Sequence, residues 1–306
     1  MNMPTSPKHP AWWQTAVETP SERGETIVSG TRINFQTWGD RGLPGIVLVH
    51  GSNAHLEWWR TTAPLLANHF RVTAMDSSGA GDSGWRAEYS GAVFAEEIMA
   101  VADAVGLGKR PYIVGHSFGG FATLEAGHCF GKQLGGIVMV DFTVYPPHFH
   151  DEFREMREQR KSEPVRPTRV YPDKETALSR FRLVPEQSCK NPFVIDYIAE
   201  RSIREVDGGW TWKFDPGMFR NLSMDEESGV DAKDKLLNLN CRSAFIMGEQ
   251  SLDYSQESLD YTRNITQGLI PMFEVPCTHH HLMFDEPIGL AMAIKGILLT
   301  WHTMTE

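Results

Sequence analysis

The chain of 306 residues predicts an α/β protein, with a doubly wound, mostly parallel sheet of eight strands and a helical segment inserted before its last third. Three observations carry this. Short apolar runs alternate with amphipathic segments through the first half. A Gly-x-Ser-x-Gly sequence stands where one apolar run meets a small-residue helical stretch. The alternation breaks over residues 142–238 and then resumes.

After a polar, proline-containing leader to about Gly24, residues 26–28 and 32–38 read as two strands joined at Ser29-Gly30, an opening hairpin. Residues 45–51 read as a short buried strand, 57–68 as an amphipathic helix and 70–76 as the next strand. A helix over 92–105 precedes a strand over 111–114, and the segment from Phe118 to about Gly127 carries Ala122, Leu124 and Ala126 for close packing on a sheet. Residues 136–140 form another apolar run, ending at Asp141. Continuous apolar strands of this length are buried on both faces, as parallel strands are.

Residues 142–238 are polar, aromatic and helical in character, with helices expected over 174–186 and 192–206. The expected organisation is an N-terminal extension (1–24), a core (25–141 and 239–306) and an inserted helical cap (142–238). The core resumes with a strand at 243–248, a helix at 256–266, a strand at 269–275 and a closing helix over 287–300.

Composition narrows the class. With 41% hydrophobic and 22% charged residues the chain can bury a large core. A formal net charge of −10 disfavours a nucleic-acid surface, and the basic stretch 154–169 is interleaved with glutamates, as in a solvated helix face. No apolar run approaches the roughly 20 residues of a membrane span, and the first residues lack the apolar core of a signal peptide, so a cytoplasmic monomer or homodimer without membrane attachment is expected. Cys129, Cys189, Cys241 and Cys277 are widely spaced, which predicts buried free thiols.

Gly115-His116-Ser117-Phe118-Gly119 fits a nucleophile elbow, in which a serine on a strand-to-helix turn is held in a strained backbone and larger flanking residues would collide with neighbouring backbone. A serine hydroxyl is a weak nucleophile and needs a histidine base oriented by a carboxylate. The loop 275–287, between the last strand and the last helix, carries Pro276, His279, His280, His281 and the pair Glu286-Pro287. These motifs resemble the α/β-hydrolase superfamily, whose last loop reads Pro-x-x-x-His. Counting from Pro276 selects His280 as the base, with Ser117 the nucleophile.

The resemblance covers residues 25–141 and 240–302 and implies an α/β-hydrolase fold with a catalytic triad. His50-Gly51-Ser52-Asn53 matches the family's His-Gly turn, so the oxyanion hole is expected from the backbone amides of Ser52 and Phe118. The loop 76–84 matches a glycine-rich scaffold turn in which Asp76 accepts backbone hydrogen bonds. Ser251 stands where the family's acid is usual, so the acid is sought elsewhere: Asp141 at the end of the sixth strand is preferred, with Asp253 and then Glu249 as alternatives. Substrate contact is expected from His50, Gly51, Asn53, His116 and Tyr145, and from Trp210 and Trp212 of the cap.

Serine rather than aspartate at position 117 disfavours dehalogenase and epoxide-hydrolase chemistry. The expected activity is serine hydrolysis of a small, apolar carboxylic ester. Carbon–carbon hydrolysis of a vinylogous diketone and a ligand-receptor role are the alternatives. No cofactor is implied. The His279-His280-His281 run has no carboxylate or cysteine at ligand spacing, so no metal site is expected, and His148 and His150 read as loop surface.

Overall fold

The computed structural model describes residues 9–162, 164–223 and 231–304. Alternate residues of the buried strand Gly45–Val49 point to opposite faces, Ile46 and Leu48 into one apolar cluster and Val47 and Val49 into the other. That alternation inside a wholly apolar run is why both faces of the sheet need helical cover. The main strands are β1 (Glu22–Val28), β2 (Thr31–Trp38), β3 (Gly45–Val49), β4 (Arg71–Met75), β5 (Tyr112–His116), β6 (Gly136–Val140), β7 (Ser243–Gly248) and β8 (Met272–Val275), in the order β1-β2-β4-β3-β5-β6-β7-β8. β2 runs antiparallel to β1 and β4, and the remaining pairs are parallel.

The longer helices are α1 (Ala11–Glu18), α2 (Gly91–Val105), α3 (Phe118–Phe130), α4 (His148–Ser162), α5 (Pro192–Arg201), α6 (Gln256–Thr266) and α7 (Pro287–Thr303). α2, α3 and α6 share one cluster with Ile113, Ile137 and Phe245, whereas α7 shares the other with Val114, Val138 and Ala244. Local signals set the ends. Ser90 Oγ accepts the Val93 amide at 3.2 Å to start α2, and Gly106 at φ 71° stops it. From β3 the chain steps outward to β4 and then returns past β3 to β5, so strand order reverses between β3 and β5. The loops after those two strands flank the crevice that open α/β sheets use for ligands.

Several expected boundaries move. Of the expected leader, residues 1–8 lie outside the described residues and the rest is structured: Trp12 and Trp13 of α1 pack with Phe193 and Tyr197 of α5, and β1 begins at Glu22. The helix expected over 57–68 is a short 3-10 turn, Leu56–Trp59, followed by Ala63–Leu66. The helix expected over 174–186 spans only Lys174–Leu178, and Pro185 downstream disfavours helical backbone before it. That over 192–206 ends at Arg201. Ile203–Val206 instead pairs antiparallel with Gly209–Trp212 around Asp207-Gly208, with Gly208 at φ 85°. The Asp-Gly pair between β-prone runs was the available signal for this hairpin. The strand expected from 269 begins at Met272. The thiols are free, but Cys129 and Cys277 are exposed and Cys189 and Cys241 half-buried, because each falls at an element's edge and not in the strand cores. Among the described residues no helix is long and apolar enough to cross a membrane.

Candidate active site

Tight backbone approach builds the elbow. A Cβ on Gly115 would lie 2.0 Å from the Gly119 carbonyl oxygen, and one on Gly119 would lie 2.4 Å from the Val49 carbonyl oxygen, so neither position admits a side chain. Between them Ser117 sits at φ 54°, a region that non-glycine residues rarely occupy. The strain is held by two backbone bonds, Ser117 N–H to the Val140 carbonyl at 2.9 Å and Gly120 N–H to the Ser117 carbonyl at 2.7 Å.

Ser117, Asp141 and His280 come from the ends of β5, β6 and the loop after β8. His280 Nε2 lies 3.0 Å from Ser117 Oγ, and His280 Nδ1 lies 2.7 Å from Asp141 Oδ2. Asp141 is braced: its Oδ1 accepts the Gly248 amide at 2.8 Å, and its Oδ2 accepts the Ser251 hydroxyl at 2.5 Å. Ser251, at the position where the resembled family usually has its acid, thus supports an acid one strand earlier. The carboxylate of Asp253 is 3.5 Å from His280 Nδ1 and its side chain is 38% exposed. Glu249 points elsewhere, accepting the Cys277 amide at 2.7 Å and bracing the turn that leads to His280.

Burial pushes the Asp141 carboxyl up to about 6, opposed by the Gly248 and Ser251 donors. Burial holds His280 below the usual histidine range, partly offset by the nearby Asp253 carboxylate. The imidazole is therefore neutral near pH 7, with Nδ1–H donated to Asp141 and a bare Nε2 facing the serine hydroxyl. A proton acceptor aimed at a half-buried hydroxyl on a strained turn is the arrangement that activates a serine.

Ser117 opens onto a cavity of about 750 Å³. Ser52, Phe118, Asp141, Tyr145 and Asp253 line it, with Phe121, Phe142, Phe219 and Tyr254 supplying much of its apolar wall. The insertion contributes His150, Phe153 and Met156 from α4, so His150 belongs to a helix beside the cavity and not to a surface loop. The aromatic wall was missed because those residues are scattered along the chain and only the fold converges them.

Six of the seven expected contact residues lie outside the lining, four in the core and two in the insertion hairpin. His50 is buried, donates from Nδ1 to the Gly51 carbonyl and accepts the Ser77 amide at Nε2, and burial holds it down to about 4. It pins two loops together. Gly51 lets the turn approach the elbow, where an added Cβ would come within 3.3 Å of Ser117 Cβ, and Asn53 is an exposed turn residue at φ 53°. His116 turns back under the elbow to the His280 carbonyl, 2.8 Å from its Nε2. Trp210 and Trp212 belong to the separate Tyr171–Ala177–Ile203 cluster, where small insertion hairpins bury their own aromatics.

Supporting carboxylates hold the loops around these residues, and of them only Asp76 is singled out by a motif. Asp285 Oδ2 accepts the His279 amide at 2.8 Å and lies 3.0 Å from His279 Nδ1, clamping the loop that presents His280. Asp76 accepts the amides of Leu56 at 2.7 Å and Asp82 at 2.9 Å and the Asn34 side chain at 2.8 Å, as its expected scaffold role requires. Buried Glu97 joins the same loop to the core through the Ser78 amide and Arg86. Among the described residues, three side chains able to hold a metal ion stand together at His116, His280 and His281.

Comparison with known proteins places the fold. A serine hydrolase-like protein of Danio rerio is 27% identical over 188 residues, 59% of this chain and 57% of the relative. A pimeloyl-[acyl-carrier protein] methyl ester esterase of Edwardsiella ictaluri is 30% identical over 99 residues, 32% of this chain and 36% of the relative. The chain thus matches little more than half the length of the first relative and about a third of the second. The thioesterase domain from the curacin biosynthetic pathway superposes with a TM-score of 0.71 at 22% identity, over 90% of this chain and 99% of that one. The model of the Alpha/beta hydrolase family matches residues 46–293. That stretch runs from β3 into α7 and takes in every strand that carries Ser117, Asp141 and His280, and the chain accordingly belongs to the alpha/beta hydrolase family.

Proposed function

We propose that the protein is a serine hydrolase that cleaves a carboxylic ester through Ser117, His280 and Asp141. The observation that carries this reading is the continuous chain Ser117 Oγ to His280 Nε2 at 3.0 Å and His280 Nδ1 to Asp141 Oδ2 at 2.7 Å, opening onto an apolar cavity. The family's esterase and thioesterase members support it.

In this mechanism His280 takes the hydroxyl proton as Ser117 attacks the ester carbonyl, and Asp141 stabilises the imidazolium that forms. The developing oxyanion faces the backbone amides of Ser52 and Phe118. Both residues border the cavity mouth beside Ser117, and the first amides of a helix have no intrahelical acceptor, which leaves the Phe118 N–H free of helix duty. His280 then returns its proton to the departing alcohol, leaving an acyl-Ser117 ester. Water deprotonated by His280 attacks that ester, and the acid leaves as Ser117 regains its proton. The insertion serves as a cap in this reading: His150, Phe153 and Met156 of α4 line the cavity together with Phe219 and Leu222.

Hydrolysis of p-nitrophenyl acetate, butyrate, octanoate and palmitate by the wild type beside Ser117→Ala tests the proposal. Turnover abolished in Ser117→Ala is the expected result. Turnover that survives the substitution would overturn it.

A further inference from the structure

Under His280 lie two imidazoles that ester hydrolysis does not use. His116, His280 and His281 are only 1%, 2% and 2% exposed. One ring nitrogen of each lies within 4.8 Å of one from each of the others, and the ring centroids are 4.7, 4.8 and 5.6 Å apart. The segments that supply them are the elbow strand and the last loop, so only the folded sheet edge brings them together.

Their hydrogen bonding leaves lone pairs unused. His116 Nε2 faces the His280 carbonyl oxygen, which can only accept, so the hydrogen sits on Nε2 and Nδ1 is bare. No donor reaches that buried Nδ1. Neither ring nitrogen of His281 makes a hydrogen bond of ordinary geometry, although the Val184 and Pro185 carbonyls approach the ring. Burial holds His116 down to about 3 and His281 well below its ordinary range, so both are neutral and each keeps one bare nitrogen. His280 donates from Nδ1 to Asp141, which leaves its own bare nitrogen, Nε2, on the serine. A buried acceptor without a donor is unfavourable, and a cation that takes the lone pair removes that cost.

We propose that His116, His280 and His281 form an inhibitory binding site for a borderline divalent transition-metal ion such as Zn²⁺. Three neutral imidazoles with an open fourth position suit Zn²⁺, Cu²⁺ or Ni²⁺, whereas Mg²⁺ and Ca²⁺ require oxygen ligands. Zn–N bonds of about 2.0–2.1 Å require the rings to close by roughly 1 Å as the ion enters. The ion takes the lone pair of His280 Nε2, and Ser117 keeps its proton and loses its acceptor. No proton is released and hydrolysis stops. The inhibitory half of this proposal rests on the ester-hydrolysis reading, and the binding half does not.

The test titrates Zn²⁺ calorimetrically into the full chain after its thiols have been blocked with iodoacetamide. The visible spectrum of bound Co²⁺ reports ligand geometry independently of turnover. One equivalent should bind to the wild type. His281→Phe, whose ring fits beside Trp58 and Phe284, should bind at least tenfold more weakly while its metal-free ester turnover stays near wild type and its inhibition by Zn²⁺ weakens in parallel. His281→Gln serves if the Phe variant does not fold. Ser117→Ala, inactive but freed of the competing hydroxyl, should bind at least as tightly as the wild type. Equal Zn²⁺ affinity in wild type and both His281 variants, or no heat and no Co²⁺ spectrum in the wild type, would overturn the site. Intact binding in a wild type that turns over no ester would refute the ester reading and leave the site standing.

Discussion

Replacing Asp141 with Asn tests the acid assignment most sharply, because the structure leaves the amide no good orientation. Both carboxylate oxygens of Asp141 are acceptors, Oδ1 for the Gly248 amide and Oδ2 for Ser251 and His280. Asn has one acceptor. With its oxygen towards His280, its NH₂ meets the Gly248 N–H, and two donors face each other in a site 1% exposed. Turned over, its NH₂ faces His280 Nδ1, which must then become the bare nitrogen, and the hydrogen moves to Nε2. A histidine in that tautomer cannot take the Ser117 proton. In a trypsin-type triad the equivalent change lowers kcat about 10⁴-fold, and we expect a loss of about 10³- to 10⁴-fold here, or about 4–5.5 kcal/mol of transition-state stabilisation. Asp253→Asn provides the contrast. Its carboxylate lies 3.5 Å from the ring and is 38% exposed, so solvent screens it, and kcat should stay within about threefold. That carboxylate also raises the pKa of His280, so its removal should shift the acid limb to lower pH. The assay is the pH profile of kcat/KM for p-nitrophenyl butyrate in the three proteins. A large loss in Asp253→Asn with near-normal turnover in Asp141→Asn would refute the assignment.

Four further outcomes are expected. Asp141 works ionised with its pKa raised to about 6 from the ordinary 3.8, and His280 works neutral with its pKa held below the usual histidine range, so wild-type kcat/KM should fall on the acid side as pH drops through about 6; a midpoint at or above pH 7 would contradict the pKa reasoning. Gly119→Ala places a methyl group 2.4 Å from the Val49 carbonyl oxygen and should destabilise by about 3 kcal/mol or more in urea unfolding, with loss of turnover in any folded fraction. Lys235→Met removes one side of the buried Lys235–Glu125 ion pair, 2.5 Å apart, so unfolding free energy should drop by about 1.5–3 kcal/mol; no measurable change would count against it. Phe219→Trp fills cavity volume and should lower kcat/KM for the octanoate ester about tenfold more than for the acetate, which measures the acyl end of the cavity directly.

Much of the sheet was legible in the chain, and for a local reason. Continuous apolar runs such as Gly45–Val49 and Gly136–Val140 can only be strands buried on both faces, and the paired glycines around Ser117 are dictated by carbonyls a few residues or one strand away. The insertion was less legible. Its helices are short, Ile203–Val206 takes its conformation from a partner strand, and Trp210 and Trp212 pack on each other's neighbours and not on the cavity.

For the site the division falls between residue identity and convergence. Ser117, His280 and Asp141, the proposed nucleophile, base and acid, could be named from the sequence because the glycine-flanked elbow, the Pro-x-x-x-His spacing of the last loop and the end of an apolar run mark them locally. That Asp141 and not Asp253 accepts the short bond from His280 was decided by tertiary structure, since the choice depends on where Gly248 and Ser251 point their donors. The aromatic wall of the cavity and the three-imidazole cluster are of the same kind. His116 and His281 stand 165 positions apart and meet only because β5 and the loop after β8 end at one sheet edge, a coincidence in space that no spacing along the chain records.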